Sequence, residues 1–217
     1  MKWRKARVKS VICWHREWNR DGAEKGQAWT GLRTIYFVTR NPHKVKEIRE
    51  LAIDSGVSIQ HLNLEYPELQ LDEIEEVVKA SANYIRREKG AKTPFFIEDS
   101  GLFIHALNGF PGPFSAFVFR TIGNEGILSL MAGKKGEERR ATFKTAIAFC
   151  QSVSAEPRIF LGAVEGRIAD SARGEGGFGF DPIFEYRGTT FAEMSTEEKN
   201  RVSHRGRAFR EFLNHIS

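Results

Sequence analysis

The stretch TIYFVTRNPHKVKEIRELAIDSG, residues 34–56, constrains the fold more than any other part of the chain. The apolar, β-favouring residues at 35–39 predict a strand. Arg40, Asn41 and Pro42 form a turn, and the periodic segment at about 43–55 predicts a helix that Gly56 ends. A strand that runs through a short turn into a helix is typical of α/β proteins, in which helices cover a sheet.

The later segments continue this alternation and then change to hairpins. The helix predicted at 72–87 carries one apolar stripe, formed by Ile74, Val77, Val78, Ala82 and Ile85. The strands are predicted at 57–64, 95–98, 140–150 and 158–169, and the other helices at 125–132, from about 195, and at 204–216. Strand–helix alternation followed by antiparallel hairpin strands predicts an α/β domain with a long mixed sheet and flanking helices.

Residues 1–33 differ in character from residues 34–217. They contain nine Lys or Arg against three Asp or Glu, and all four tryptophans of the chain. The excess positive charge of the protein therefore lies in this extension. One interpretation is a basic, aromatic arm that contacts nucleic acid. The other, which we favour, is a solvated tail or a start that is not the natural one.

Several protein classes are disfavoured by simple counts. No apolar run approaches the roughly 18 residues of a membrane helix, and we expect no membrane association. Cys13 and Cys150 form neither a disulfide framework nor a metal-ligand spacing. A reducing, cytoplasmic compartment is the simplest expectation.

The segment TRNPHK, residues 39–44, places free backbone N–H groups at the start of a helix. Such a start binds anions, and Lys44 adds a positive charge in the first turn. The alternative is an ordinary strand–helix connection in which Asn41 is only a cap. The glycines of a P-loop are absent.

Two adjacent carboxylates, Glu98 and Asp99, follow the apolar run at 95–97. Ligands of open α/β sheets bind beyond the carboxyl ends of strands, and we predict that these residues lie at such an end. Their side chains should face opposite ways. One of them could bind Mg²⁺, which takes one or two protein carboxylates, and Glu68 is a second candidate ligand. The alternative is a solvated strand end with a turn at 99–101.

Two further segments carry candidate binding groups. In GGFGFDP, residues 176–182, glycines permit a close backbone approach, Phe178 and Phe180 offer flat faces for a base, and Asp181 offers an acceptor. A tight corner with core aromatics is the alternative.

At the other segment, Ser195 and Glu198 have capping-box spacing, Ser203 is a candidate cap of the next helix, and Lys199, His204 and Arg205 supply cations. A cationic helix start favours a nearby anion or electron-rich base. The alternative is an exposed basic helix end.

These motifs, in this order, resemble the inosine triphosphate pyrophosphatase family. The segments that carry the resemblance are TRNPHKVKE, YPELQ, IEDSGL, GFPGPFSA, GFGFDPIF, FAEMSTEEKN and SHR, and the resemblance extends from about Thr34 to the C-terminus. It implies hydrolysis of ITP, dITP and XTP to the monophosphate and pyrophosphate with Mg²⁺. It also implies an elongated, two-lobed α/β domain with an active-site cleft between the lobes, and usually a homodimer.

The resemblance also implies roles for individual residues. Asp99 corresponds to the catalytic base, and Glu68 and Asp99 to the metal ligands. The implied substrate contacts are Thr39, Arg40, Asn41, Pro42, His43, Lys44, Lys79, Ser100, Phe178, Gly179, Phe180, Asp181, Lys199, His204 and Arg205. Arg40 replaces a glycine that the family usually has, and this is harmless only if its φ is negative.

The sequence leaves a competing class open. On that hypothesis the domain binds nucleotides, or nucleic acid through the basic arm, without turnover. The pair Glu68 and Asp99 favours an enzyme, because a pure binding protein needs no metal carboxylates beside a triphosphate. Glu98 is expected to tune the metal or support its ligands. The 6-oxo group of the purine is expected to accept a hydrogen bond from Arg205 or His204.

Overall fold

A computed structural model of the chain describes residues 33–67, 69–91 and 93–216. These residues form one mixed sheet with helices on both faces, which confirms the predicted fold class. The strands are β1 (Arg33–Val38), β2 (Val57–Leu62), β3 (Phe95–Ile104), β4 (Pro111–Gly112), β5 (Arg140–Cys150), β6 (Arg158–Ile168), β7 (Phe184–Tyr186) and β8 (Thr189–Thr190). The α-helices are α1 (Pro42–Leu51), α2 (Ile74–Glu88), α3 (Ser115–Thr121), α4 (Gly123–Leu130), α5 (Thr196–Val202) and α6 (His204–Ile216).

The sheet changes from parallel to antiparallel pairing across β3. The strand order is β2-β1-β3-β5-β6-β7-β8, and β4 pairs with β3 outside this path. β1 is parallel to both β2 and β3. β3, β5, β6 and β7 are successively antiparallel. The short pairing of β1 with β3, which covers only two register positions of β3, leaves the rest of β3 paired with β4 and β5.

Helices cover the two faces of the parallel end separately. α1 and α6 pack on one face, where Phe37 stacks on Phe96 with 4.5 Å between ring centroids and Phe209 and Phe212 complete the cluster. α2 packs on the other face through the predicted stripe, of which Ile74, Val78, Ala82 and Ile85 belong to the cluster. Burial of each large apolar side chain contributes about 1.5–3 kcal/mol, so these contacts fix where the two faces and their helices lie.

The antiparallel end of the sheet has its own hydrophobic core. It is built on Leu102, Phe143 and Val164 of the long strands, with contributions from α3, α4 and the segment 180–191. Residues 98–101 of β3 therefore lie between the cluster at the parallel end and this one. No helix in the described ranges is long and apolar enough to span a membrane.

Some predicted boundaries were wrong, each for a local reason. α1 ends at Leu51 rather than near 55, because residues 52–56 form a turn in which Asp54 has φ +62° and Gly56 has φ +71°. Helix α3 has no clear pattern in the sequence, because its exposed Phe117 and Phe119 weaken the helical apolar spacing. The strand predicted at 95–98 continues to Ile104, because β5 pairs with every residue of it.

Candidate active site

The turn between β1 and α1 is fixed by side chains of its own residues. Asn41 caps α1, and its side-chain oxygen accepts hydrogen bonds from the backbone N–H of His43 at 2.9 Å and of Lys44 at 3.4 Å. The backbone N–H of Asn41 donates to Thr39 Oγ1 at 3.1 Å, and Pro42 begins the helix. Arg40 is exposed and does not belong to the described residues with positive φ, so it fits the position without strain.

The two adjacent carboxylates lie inside a strand and not at its end, which corrects the prediction. The parallel pairing of β1 with β3 stops at Phe96, and β3 continues through Glu98 and Asp99 beside β5. Asp99 is therefore beyond the carboxyl end of β1, although it is in the middle of its own strand. The place that ligands favour in α/β sheets is thus present, but β1 defines it.

The predicted opposite orientation of Glu98 and Asp99 is seen in their surroundings. The Glu98 side chain has no exposed surface, whereas that of Asp99 is 31% exposed. Lys44 extends from α1 to both of them, with its ammonium 2.9 Å from Glu98 Oε2 and 3.5 Å from Asp99 Oδ1. It also donates to the backbone oxygen of Glu98 at 3.1 Å.

The pKa values of Glu98 and Asp99 are shifted in opposite directions. Burial would raise the pKa of Glu98, but the charges of Arg205 and Lys44 outweigh it and hold that pKa at about 2. The pKa of Asp99 is raised, mainly by burial, and the nearby Glu98 adds to the rise against the effect of Lys44. A carboxylate with a raised pKa and an exposed edge is typical of a group that exchanges protons or binds a cation.

Glu47 joins the site, although the sequence analysis did not select it. It is buried on α1, where its two oxygens contact Lys199 Nζ at 2.7 Å and Arg205 Nη1 at 2.5 Å. Glu47 follows Lys44 by three residues, so the two side chains are neighbours on one face of the helix. This spacing was the only feature of the sequence that could have indicated Glu47 as a site residue. Such a signal is weak, because a glutamate on a helix is usually solvated.

Arg205 and Lys199 are buried, and each forms ion pairs with carboxylates distant in the chain. Burial would lower the pKa of Arg205, but Glu98 and Glu47 raise it above its ordinary value. Lys199 also pairs with Asp181 at 2.6 Å. The alternative of an exposed basic helix end is thereby excluded, since Lys199 and Arg205 are only 3% and 2% exposed.

The caps that the sequence predicted around these cations are present. Ser195 and Glu198 form a reciprocal capping box at the start of α5. Ser203 Oγ accepts from the backbone N–H of Gly206 at 3.1 Å in the first turn of α6. These local bonds orient the helices that carry Lys199 and Arg205.

The glycine-rich loop places Phe178 over the basic groups. The ring of Phe178 stacks on His43 with 5.2 Å between centroids, and the charged groups of Lys199 and Arg205 lie 5.1 and 5.3 Å from its centroid. Asp181 accepts the backbone N–H of Phe178 at 2.7 Å. Gly177 has φ +67°, and a Cβ there would lie 2.1 Å from Asp181 Oδ2, so this corner requires glycine.

Other residues of this loop and its neighbour have distinct surroundings. Phe180 is a core residue that meets Phe119 edge to face, so it does not offer a free ring. Gly179 has φ +66° and its carbonyl accepts from Asn124. His204 is buried and stacks on Phe143 at 4.4 Å, and its Nδ1 has no hydrogen-bond partner. Burial first, and then the charges of Arg205, Lys199 and Lys44, lower the pKa of His204 well below its ordinary value.

Ser100 connects the carboxylates to the cations. Its hydroxyl donates to Glu98 Oε1, accepts from Arg205 Nη2 at 3.1 Å and lies 2.6 Å from Thr145 Oγ1. Lys79, by contrast, is not brought into this cluster. It is exposed on α2, and its charge acts on Glu156 in the turn between β5 and β6. Glu68 lies outside the described residues, and its place beside Asp99 stays a prediction.

The carboxylate of Asp99 fits a divalent cation as one ligand. Mg²⁺ uses carboxylate oxygens and commonly only one or two of them from the protein. The described residues contain no group of three His, Cys, Asp or Glu placed to enclose a metal.

Comparisons with known proteins agree with this fold. The chain belongs to the Ham1 family, whose model matches residues 35–215, and the resemblance drawn from the motifs is confirmed. The dITP/XTP pyrophosphatase of Thermococcus kodakarensis is 52% identical over 182 residues, which cover 83% of this chain and 95% of the relative. The dITP/XTP pyrophosphatase of Methanosarcina mazei is 48% identical, over 84% of this chain and 96% of the relative.

A solved structure supports the same fold. A HAM1 protein from Coxiella burnetii superposes with a TM-score of 0.70 at 30% identity, and covers 85% of this chain and 98% of its own. The similarity thus extends over most of this chain and nearly all of the Coxiella protein.

Proposed function

We propose that this protein hydrolyses the deaminated purine nucleoside triphosphates ITP, dITP and XTP to the monophosphate and pyrophosphate, with Mg²⁺. The observation that carries the proposal is the convergence of four distant segments on one cluster. Lys44 of α1 contacts Asp99 of β3 directly. Glu98 links Lys44 to Arg205 of α6, whose guanidinium lies 5.3 Å from the ring centroid of Phe178 in the glycine-rich loop. The dITP/XTP pyrophosphatases that resemble the chain supply the substrate class.

The reacting end of the site is assigned to Asp99 and Lys44. Asp99 takes a proton from a water molecule while the oxygen of that water bonds to the α-phosphorus. At the same time the bond between the α-phosphorus and the oxygen that bridges to the β-phosphate breaks. Lys44 stabilises the charge on the departing pyrophosphate. The role is assigned to its side chain because the N–H groups of His43 and Lys44 at the start of α1 already donate to Asn41. Mg²⁺, held by Asp99 and by Glu68 as predicted, supplies neutralisation of the phosphate oxygens when bound.

The recognising end is assigned to Phe178, Lys199, His204 and Arg205. A purine stacked on an aromatic ring gains about 1–3 kcal/mol whatever its identity, so stacking alone does not select a base. Selection needs hydrogen bonds to the 6-oxo group. Arg205 carries donors, and His204 has a buried nitrogen without a partner, so these two residues are the candidates. The protein is proposed to act as a homodimer in the cytoplasm.

The test is a panel of common and deaminated triphosphates assayed for pyrophosphate, with and without Mg²⁺. We expect pyrophosphate from ITP, dITP and XTP only with Mg²⁺, and loss of about 100-fold or more in kcat for Asp99→Asn. Asp170→Asn, a change of a carboxyl that is 84% exposed, is the matched control and should retain full activity. Tight binding of ITP without pyrophosphate release would favour the nucleotide-binding alternative and contradict the proposal.

A further inference from the structure

The site contains a continuous chain of ionisable groups of alternating sign. Each member contacts the next through a carboxylate–cation pair, and the distances lie between 2.5 and 3.5 Å. In order, its members are Asp181, Lys199, Glu47, Arg205, Glu98, Lys44 and Asp99. The chain runs from the loop assigned to the base to the carboxylate assigned to the reaction. It therefore connects the two functions of the site by direct contact.

Glu98 is the member that joins the cation assigned to the base with the cation assigned to the phosphates. Its Oε1 accepts from Arg205 Nε at 3.2 Å and from Ser100, and its Oε2 is 2.9 Å from Lys44 Nζ. Thr145 Oγ1 donates to the same Oε1 at 3.5 Å. Oε1 accepts these hydrogen bonds, whereas Oε2 has no hydrogen bond and faces the Lys44 ammonium as an ion pair, and neither oxygen is exposed to solvent.

This environment does not suit a metal ligand or a proton-transfer group. The side chain of Glu98 has no exposed surface, whereas Asp99, on the opposite face of β3, is partly exposed. A ligand to Mg²⁺ must reach a partly hydrated ion. Binding a metal through Glu98 would remove the carboxylate from two cations that are themselves buried or nearly so, which is unfavourable.

The contacts give Glu98 a different task. Lys44 and Arg205 come from α1 and α6, and both lie against Glu98, so their like charges oppose each other. Each side chain also has several freely rotating bonds. A carboxylate fixed between them in a strand neutralises the repulsion and limits both side chains to one geometry. The separation between the two cations is then set by one rigid residue.

We propose that Glu98 is a positioning residue that fixes Arg205 relative to Lys44, so that recognition of the base and placement of the phosphates are set together. The inference rests on the proposed function and deepens it. A nucleotide whose base engages Arg205 then has its phosphates placed against Lys44 and Asp99. A nucleotide that fails to engage Arg205 is not so placed, and discrimination between bases is expressed in kcat as well as in KM.

The central experiment is Glu98→Gln, which keeps the shape of the side chain and removes its charge. We expect kcat for dITP to fall about 100-fold, since a displacement of about 1 Å in a reacting site costs this much. The preference for dITP over dGTP, as a ratio of kcat/KM, should fall about tenfold. The Mg²⁺ concentration for half-maximal activity should stay unchanged, because Glu98 is not a ligand.

A second, milder variant keeps the proposal testable if Glu98→Gln does not fold. Thr145→Val is nearly isosteric and removes only the hydroxyl that contacts Ser100 and Glu98 from β5. It should lower kcat and the dITP preference in the same direction by about three- to tenfold. Glu165→Gln, on the exposed face of β6, is the control and should change neither. Loss of folded protein alone would lower the rates for both nucleotides equally and leave their ratio unchanged.

The outcomes separate this inference from the function on which it rests. An active wild-type protein with normal kcat and normal dITP preference in both variants overturns the role of Glu98 alone. A Mg²⁺ requirement raised more than about tenfold in Glu98→Gln also overturns it, because it identifies Glu98 as a metal ligand. A wild-type protein that releases no pyrophosphate overturns both proposals. Reduced kcat and reduced preference with an unchanged Mg²⁺ requirement support the positioning role.

Discussion

Two adjacent acidic residues of this site, Glu98 and Asp99, lie in very different surroundings. Glu98 and Asp99 differ by one position on β3, yet the first is surrounded by cations and hydroxyls and the second is partly exposed. The alternation of side chains along a strand accounts for this difference, and the sequence was sufficient to predict it. The partners of Glu98 were not predictable, because Arg205 and Lys44 are separated from it by 107 and 54 positions in the chain.

His204 provides a test of burial at the residue scale. In the folded protein its pKa lies well below the ordinary 6.5, so the native state takes no proton as pH falls below 6.5, whereas the unfolded chain does. The free energy of unfolding must therefore fall with falling pH, by about 1 kcal/mol between pH 6.5 and 5.5 from this group. Lys44 and Arg205, two of the cations that act on it, have raised pKa values and keep their charge throughout this range.

The measurement is urea unfolding at several pH values for the wild type and for His204→Gln. The variant should lose about 1 kcal/mol of the pH dependence in this interval. Equal pH dependence in the wild type and His204→Gln would show that His204 does not stay neutral in the folded protein.

At the scale of elements, the approach of α6 to β6 decides where the SHR motif lies. Gly162 on β6 has no side chain, and the backbone of α6 occupies the space that one would fill. The contact lets His204 and Arg205, the first residues of α6, reach the centre of the sheet. The local sequence indicated both the strand and the helix, but it did not indicate that a glycine of one meets the first turn of the other.

Gly162→Ala tests this contact. The added Cβ would lie 2.1 Å from the His204 carbonyl oxygen and 2.4 Å from the Ala208 backbone nitrogen, so α6 must move away. We expect a loss of about 1–3 kcal/mol in the free energy of unfolding, measured with urea, and a lower kcat/KM for dITP. Ala163→Ser, at the exposed neighbouring position of β6, should alter neither value. An unchanged stability of Gly162→Ala would show that this close contact does not constrain α6.

At the scale of the whole molecule, the described fold begins at residue 33, and the similarity to the family begins at residue 35. The family model begins at residue 35, and the two relatives match 95% and 96% of their own lengths while covering 83% and 84% of this chain. The basic, tryptophan-containing extension at 1–33 lies outside the described residues, apart from Arg33 in β1.

Deletion of residues 1–31 is therefore expected to leave kcat/KM for dITP within about twofold of the full chain. The reason is that Lys44, Asp99 and Arg205 and their contacts all lie in the described part. Parallel assays of pyrophosphate release by the two proteins measure this, with Asp99→Asn in the truncated chain as the inactive control. A large loss of activity on truncation would assign the extension a part in the reaction.

The sequence by itself determined the features that depend on neighbours along the chain. Ser195 caps α5 as predicted, and the apolar stripe of α2 is buried as its spacing required. Asn41 caps α1, which was the alternative to a helix start with free N–H groups. Tertiary structure alone decided the length of β3, the inclusion of Glu47 and the location of Lys79 away from the cluster. These features depend on pairing with distant residues, whose free energy no local pattern of the chain contains.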